Sequence, residues 1–261
     1  MSHRSKTSVS SSPVSAVPVF VCAKLNSLQA LEVLNRQIIG CRRCPRLVEY
    51  REHVAHTKRR AYLDWEYWGR PVPGFGDSNA RLLLIGLAPG AHGANRTGRI
   101  FTGDSSGDFL YRALYETGFA SQPASVSRED GLELRDAYIS ASVRCAPPGN
   151  KPLPQEIRNC RPYLERELEL LADVRVVIAL GRLAFDVYLS ILRDGGKIAR
   201  RSAFRFAHGQ EYRIAPGLPV LIGSYHPSQQ NTFTGKLTPA MFQAVFRKAR
   251  RRLEAGSGMP S

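Results

Sequence analysis

Four short apolar runs, residues 81–87, 137–143, 174–180 and 219–224, alternate with stretches of helical periodicity. This constrains the chain more than any other feature. After the first run a helix is expected at 106–117. After the second comes a long one at 154–171, opened by Pro154, where a missing N–H costs nothing. The third leads into a helix at 181–192, and the fourth into one at 239–253 with Thr238 as its N-cap. Strands that alternate with helices pair in parallel through crossovers, and the helices then cover both sheet faces. The expectation is an α/β domain with a parallel sheet of four strands. Leu28, Leu31, Leu34 and Ile38 mark an earlier helix stopped at Gly40, and 203–214 reads as a hairpin around Gly209. Residues 1–27 are expected to be a disordered Ser-rich tail, 28–255 a single domain and 256–261 a flexible end.

Two of these runs break into unusually polar loops. Residues 85–104 read I-G-L-A-P-G-A-H-G-A-N-R-T-G-R-I-F-T-G-D, and 224–235 read S-Y-H-P-S-Q-Q-N-T-F-T-G. In an open α/β sheet the loops at the carboxyl ends of strands hold the ligand. The first loop is neither a Walker A loop nor G-x-G-x-x-G. Its glycines leave backbone amides uncovered, as at Ala88 and Gly90, so it can wrap a small planar or anionic group. Asn95 can hydrogen-bond a water or a base edge, and Phe101 can stack on a planar ligand. His226 begins the second loop where a strand ends, facing the first.

With 37 Lys and Arg against 22 Asp and Glu, the formal net charge is +15. Such a field acts first on polyanions, and on nucleic acid above all. Basic clusters fall at 42–60, 197–213 and 247–252. No apolar run approaches the ~18 residues of a membrane span. The first residues lack the apolar stretch of a signal peptide, so a reducing cytoplasmic setting is expected.

Cys41 and Cys44 form C-x2-C directly after the first helix stop; Cys145 follows a strand in V-R-C-A-P-P, and Cys160 lies on the next helix. Cys22 stands apart in the tail. Four thiolates from two distant segments suit a four-cysteine metal site. Disulfides are disfavoured in a reducing compartment. The wide spacing of the second pair favours iron–sulfur, with zinc left open. A zinc-stapled nucleic-acid-binding protein and an iron–sulfur redox protein are the rival classes.

The two loop motifs, together with V-R-C-A-P-P and the downstream Cys160, resemble the type 5 (b-type) uracil-DNA glycosylases, over about 28–253. The resemblance implies a three-layer α/β/α fold around a four-stranded parallel sheet. It implies a structural [4Fe-4S] cluster on Cys41, Cys44, Cys145 and Cys160, and damaged DNA, double- or single-stranded, as partner of a monomeric, nucleoid-associated enzyme. It sets His226 against the base carbonyl, Phe101 on the flipped base and the amides near Ala88 and Gly90 around it. Leu87, Ala88 and Pro89 are apolar where sister families carry a polar residue, so Asn95, just before R-T-G, becomes the candidate for orienting water. Many relatives have Asn in the strand before V-R-C; Ala141 stands there instead. Ser140 and Ser142 point to the opposite face by strand alternation. The substrate range is therefore expected to extend from uracil to hypoxanthine and xanthine.

Overall fold

The computed structural model describes residues 26–255. The expected tail up to position 25, with Cys22, and the end at 256–261 lie outside the described residues.

Six strands form one sheet: β1 (Phe75–Gly76), β2 (Leu82–Gly86), β3 (Ala137–Ala141), β4 (Val176–Leu180), β5 (Glu211–Tyr212) and β6 (Val220–Ser224), in the order β1-β3-β2-β4-β6-β5. The four apolar runs supply the parallel centre, in register from Leu82↔Ala137 through Leu82↔Val176 to Val176↔Val220. The expected count of four is corrected at the edges. There β1 and β5 each add two antiparallel residues.

The helices are α1 (Ser27–Ile39), α2 (Pro45–Thr57), α3 (Ala94–Thr97), α4 (Ser105–Glu116), α5 (Pro154–Leu170), α6 (Arg182–Asp194), α7 (Gln229–Phe233) and α8 (Pro239–Ala255). Alternate residues of each central strand enter opposite cores. Leu82, Leu84 and Ile178 pack with Leu110 and Leu114 of α4 and Phe242 and Phe246 of α8. Leu83, Ile85 and Val177 pack with Leu31 of α1, Leu164 of α5 and Phe185 of α6. Burial on both faces explains why these strands read as continuous apolar runs rather than alternating ones. Thr238 caps α8 as expected, its hydroxyl accepting from the Met241 amide at 3.3 Å.

The hairpin expected at 203–214 does not form. Glu211 and Tyr212 pair instead with Ile222 and Leu221 of β6. Phe204, Phe206 and Tyr212 gather around one another and Phe185, with ring centroids 5.5–6.0 Å apart. Burying that aromatic surface on α6 outweighs a local ladder of two short strands. Among the described residues no helix is long and apolar enough to cross a membrane.

For the site, the key consequence is directional. β2 and β6 flank β4 and run parallel to it, so residues 87–104 and 225–235 emerge from the same edge of the sheet.

Candidate active site

Between those two loops lies a cavity of about 700 Å³, lined by Ala88, Gly90, His92, Phe101 and Asp104 from one side and His226, Gln229 and Gln230 from the other. Tyr50 and Arg59 reach it from the amino-terminal segment, and Asn150 from the loop after β3. Four residues nominated from sequence, Ala88, Gly90, Phe101 and His226, thus meet in one place.

Phe101 is held in a costly way. Its backbone is left-handed, with φ at 52°, which a bulky residue adopts only when its surroundings force it. Such strain costs about 1–3 kcal/mol and clusters where function needs a fixed geometry. Gly86, the last residue of β2, makes room: a Cβ there would lie 2.8 Å from the Phe101 ring. The loop is fastened by Arg99, which donates to Thr102 Oγ1 at 3.0 Å, Ser125 Oγ at 2.7 Å and Asp130 Oδ2 at 2.6 Å. Burial would raise the Asp130 carboxyl, but these Arg99 contacts and backbone amides hold it down at about 2. Arg96 closes the loop on itself, donating to the carbonyls of His92 at 2.8 Å and Gly103 at 2.7 Å. Its guanidinium is sandwiched 4.0 Å from the rings of Tyr62 and Trp65.

The His226 ring packs on Phe101 with centroids 5.7 Å apart. By surface area the residue is only half-buried, yet its ring lies deep in the cleft, and desolvation pulls its pKa down to about 4. At neutral pH it is an uncharged imidazole, able to donate a hydrogen bond without carrying a positive charge. Its carbonyl accepts from Asn231 Nδ2 at 2.8 Å, tying the histidine to α7. His92 is likewise pushed down by burial and by the neighbouring Arg59 and Arg96, and its Nδ1 is 3.1 Å from the Tyr67 hydroxyl.

Asp104 was not singled out from sequence, although it ends the quoted motif. It caps α4 through Oδ1, which accepts from the Gly107 amide at 3.0 Å. Its other oxygen faces Gly93, where an added Cβ would come within 2.0 Å. Burial raises its pKa even against the pull of the Gly107 and Ser106 amides. An acidic residue closing a glycine-rich loop was the signal available. Arg59 belonged to the basic cluster at 42–60, while Tyr50 and Asn150 carried no signal, since only long-range packing brings them here.

Asn95 does not line this cavity. It is fully buried; its Nδ2 donates to the Arg51 carbonyl of α2 at 3.2 Å, while its Oδ1 has no partner among the described residues. With the Gly69 amide donating to its carbonyl at 3.0 Å, Asn95 anchors the loop to the amino-terminal segment. Ala141 is buried in the core that contains Phe101, whereas Ser140 bonds Glu167 Oε2 and Ser142 bonds the Gly86 carbonyl.

The four cysteines of the described residues are free thiols beside one another. Cys44, Cys145 and Cys160 share a small apolar cluster with Leu47 and Val143, and Ala88 of the cavity loop packs against it. Burial pushes Cys145 up to about 12 and Cys160 to about 11; the fields of the neighbouring thiols add to it, while Arg51 and Arg144 respectively oppose it. Among the described residues no three metal-ligand side chains are arranged to hold a single ion. A cubane, however, takes one thiolate at each of four irons, so its ligands need not converge on one point. Cys145 and Cys160, whose burial resists ionisation, together with buried Cys44 and half-buried Cys41, fit a group that supplies compensating positive charge. Next to them Arg144 and Glu167 form a fully buried ion pair that also holds Ser140.

A model of the Uracil DNA glycosylase superfamily matches residues 73–250. The chain is 53% identical over 219 residues to the Type-5 uracil-DNA glycosylase of Mycobacterium leprae, covering 84% of this chain and 93% of that one. It is 52% identical over 220 residues to the Type-5 uracil-DNA glycosylase of Thermus thermophilus, covering 84% and 97%. To the Type-4 uracil-DNA glycosylase of Archaeoglobus fulgidus it is 30% identical over 180 residues, covering 66% and 73%.

Proposed function

Because the chain belongs to the type-5 uracil-DNA glycosylases of the Uracil DNA glycosylase superfamily, we propose that it hydrolyses the N-glycosidic bond of uracil in DNA. The observation that carries this reading is the cavity in which strained Phe101, neutral His226 and the Asp104 carboxyl converge. An extrahelical base stacks on Phe101. Breaking the bond leaves positive charge on the sugar and negative charge on the base. His226, uncharged, donates to a base carbonyl and stabilises the anion more than the ground state. The Asp104 carboxylate accepts the proton of the attacking water and faces the sugar cation. Asn95 holds the loop in place through its bond to the Arg51 carbonyl of α2. Products are the free base and an abasic site, the opening step of base excision repair.

The substrate range takes in hypoxanthine and xanthine. Support comes from Ala141, which offers no hydrogen bond to a base edge. Cys41, Cys44, Cys145 and Cys160 would hold a [4Fe-4S] cluster, whose contribution is cross-linking rather than chemistry: it joins α1, α2 and α5 behind Ala88.

The test is single-turnover excision on oligonucleotides carrying one uracil, hypoxanthine or xanthine, read as alkali-labile strand breaks. Wild type should cleave all three. His226→Ala should lose ~10²–10³ in rate, the usual cost of one donor to a developing anion. Absence of cleavage at uracil by the iron-loaded wild type would overturn the glycosylase reading.

A further inference from the structure

At the end of the sheet opposite the base pocket, a second cavity of about 480 Å³ is lined by Arg81, Arg175, Arg213 and Arg252. It opens beside a third, of about 570 Å³, that shares Arg252 and adds Lys248 and Arg251. The strands build this cluster. Arg81 immediately precedes β2 and Arg175 immediately precedes β4, and the Arg175 amide donates to the Arg81 carbonyl at 2.8 Å. Like charges on directly opposite residues destabilise a sheet. Two arginines here nevertheless line one cavity: Asp136 pairs with Arg81, and Arg175 has no carboxylate partner among the described residues.

Part of this charge is internally balanced: Arg81 by Asp136 and Arg252 by Glu211. Arg175, Arg213 and Arg251 are exposed and have no ion-pair partner among the described residues. Arg250, on the same helix as Arg251, is by contrast engaged in the fold, stacked 3.7 Å from Phe119 and bonded to the Thr117 carbonyl. Guanidinium groups on separate elements, converging on a groove, match the bidentate geometry of phosphodiester oxygens.

We propose that this amino-end groove binds the backbone of a second DNA segment while the first occupies the base pocket. A single duplex cannot serve both ends. The pocket lies at the carboxyl ends of the strands and the groove at their amino ends, and DNA is stiff over ~150 base pairs. Two backbone sites on opposite ends allow the protein to pass from one duplex to another without release. The inference rests on the reading that the chain acts on DNA.

The experiment uses the full iron-loaded protein bound to a short labelled duplex, challenged with rising concentrations of unlabelled duplex. With a second site the apparent dissociation rate climbs with challenger concentration, because the invading duplex binds before the first leaves. R175E/R213E should flatten that climb about tenfold, as two phosphate contacts become repulsive. Its single-turnover excision from a short uracil duplex should match wild type, since neither residue touches the pocket. A wild-type rate independent of challenger, or an equal climb in the variant, would overturn the proposal. So would unchanged transfer together with lost binding of poly-glutamate, which marks a surface for acidic protein. Loss of excision by wild type itself condemns the glycosylase reading, and is told apart because the transfer assay uses DNA without uracil.

Discussion

His226 should cost the protein stability as the medium is acidified, and by a predictable amount. Its imidazole titrates in the unfolded chain near the ordinary 6.5, but desolvation in the folded cleft brings it to about 4. Above pH 6.5 both states hold it neutral and the residue contributes no pH dependence. As pH falls from 6.5 towards 4 the unfolded chain takes up a proton that the folded site refuses, so the folded state loses ground; below 4 the loss levels off. At about 1.4 kcal/mol per unit, the whole shift is worth about 3 kcal/mol. For a domain of this size that corresponds to about 6–12 °C in Tm. His226→Gln removes the titration while keeping a polar side chain. The measurement is the difference in Tm between wild type and His226→Gln at pH 7 and pH 4. Taking the difference cancels the titration of every other group, acid-labile metal ligands included. Wild type should fall relative to the variant by the stated amount, and its excision rate should show no inflection near 6.5 that the variant lacks. Parallel Tm curves for the two proteins would refute the argument that the ring is buried and neutral.

Gly93→Ala should cut excision by about 10² with little change in DNA affinity, because a Cβ 2.0 Å from Asp104 Oδ2 must displace that carboxylate; single-turnover rates beside binding isotherms check it. Glu167→Gln should cost ~3–5 kcal/mol in urea unfolding, since it leaves the fully buried Arg144 charge without a counter-ion. Cys145→Ala should bind less iron and melt earlier than wild type, with the loss in Tm exceeding the loss in rate among molecules still folded, because the ligand set joins segments far apart in sequence. Iron content and calorimetry on the same preparation decide that point; full iron and an unchanged Tm would remove Cys145 from the ligand set.

The α/β class, the four central strands and the meeting of two polar loops were legible in the residues alone. Buried parallel strands leave unbroken apolar runs, helices leave a 3.6-residue period, and loops at strand ends leave glycine and hydroxyl residues. Those signals are local, and each survives in a window of a few residues. Ala88, Gly90, Phe101 and His226 meet in one cavity for the same reason: parallel strands must deliver their carboxyl ends to one edge. What tertiary structure alone decided is everything set by contact across the chain. Phe204, Phe206 and Tyr212 prefer the surface of α6 to one another's backbone, so a locally plausible hairpin gives way to pairing with β6. Asn95 and Asp104 sit nine residues apart in one loop. A short helical turn sends the amide to α2 and the carboxylate to the cavity, an assignment that no spacing rule contains. The pKa of His226 and the grouping of Arg81, Arg175, Arg213 and Arg252 depend likewise on which surfaces are dry and which strand ends are neighbours. Desolvation and proximity are properties of the packed chain, and they exist only once the sheet has formed.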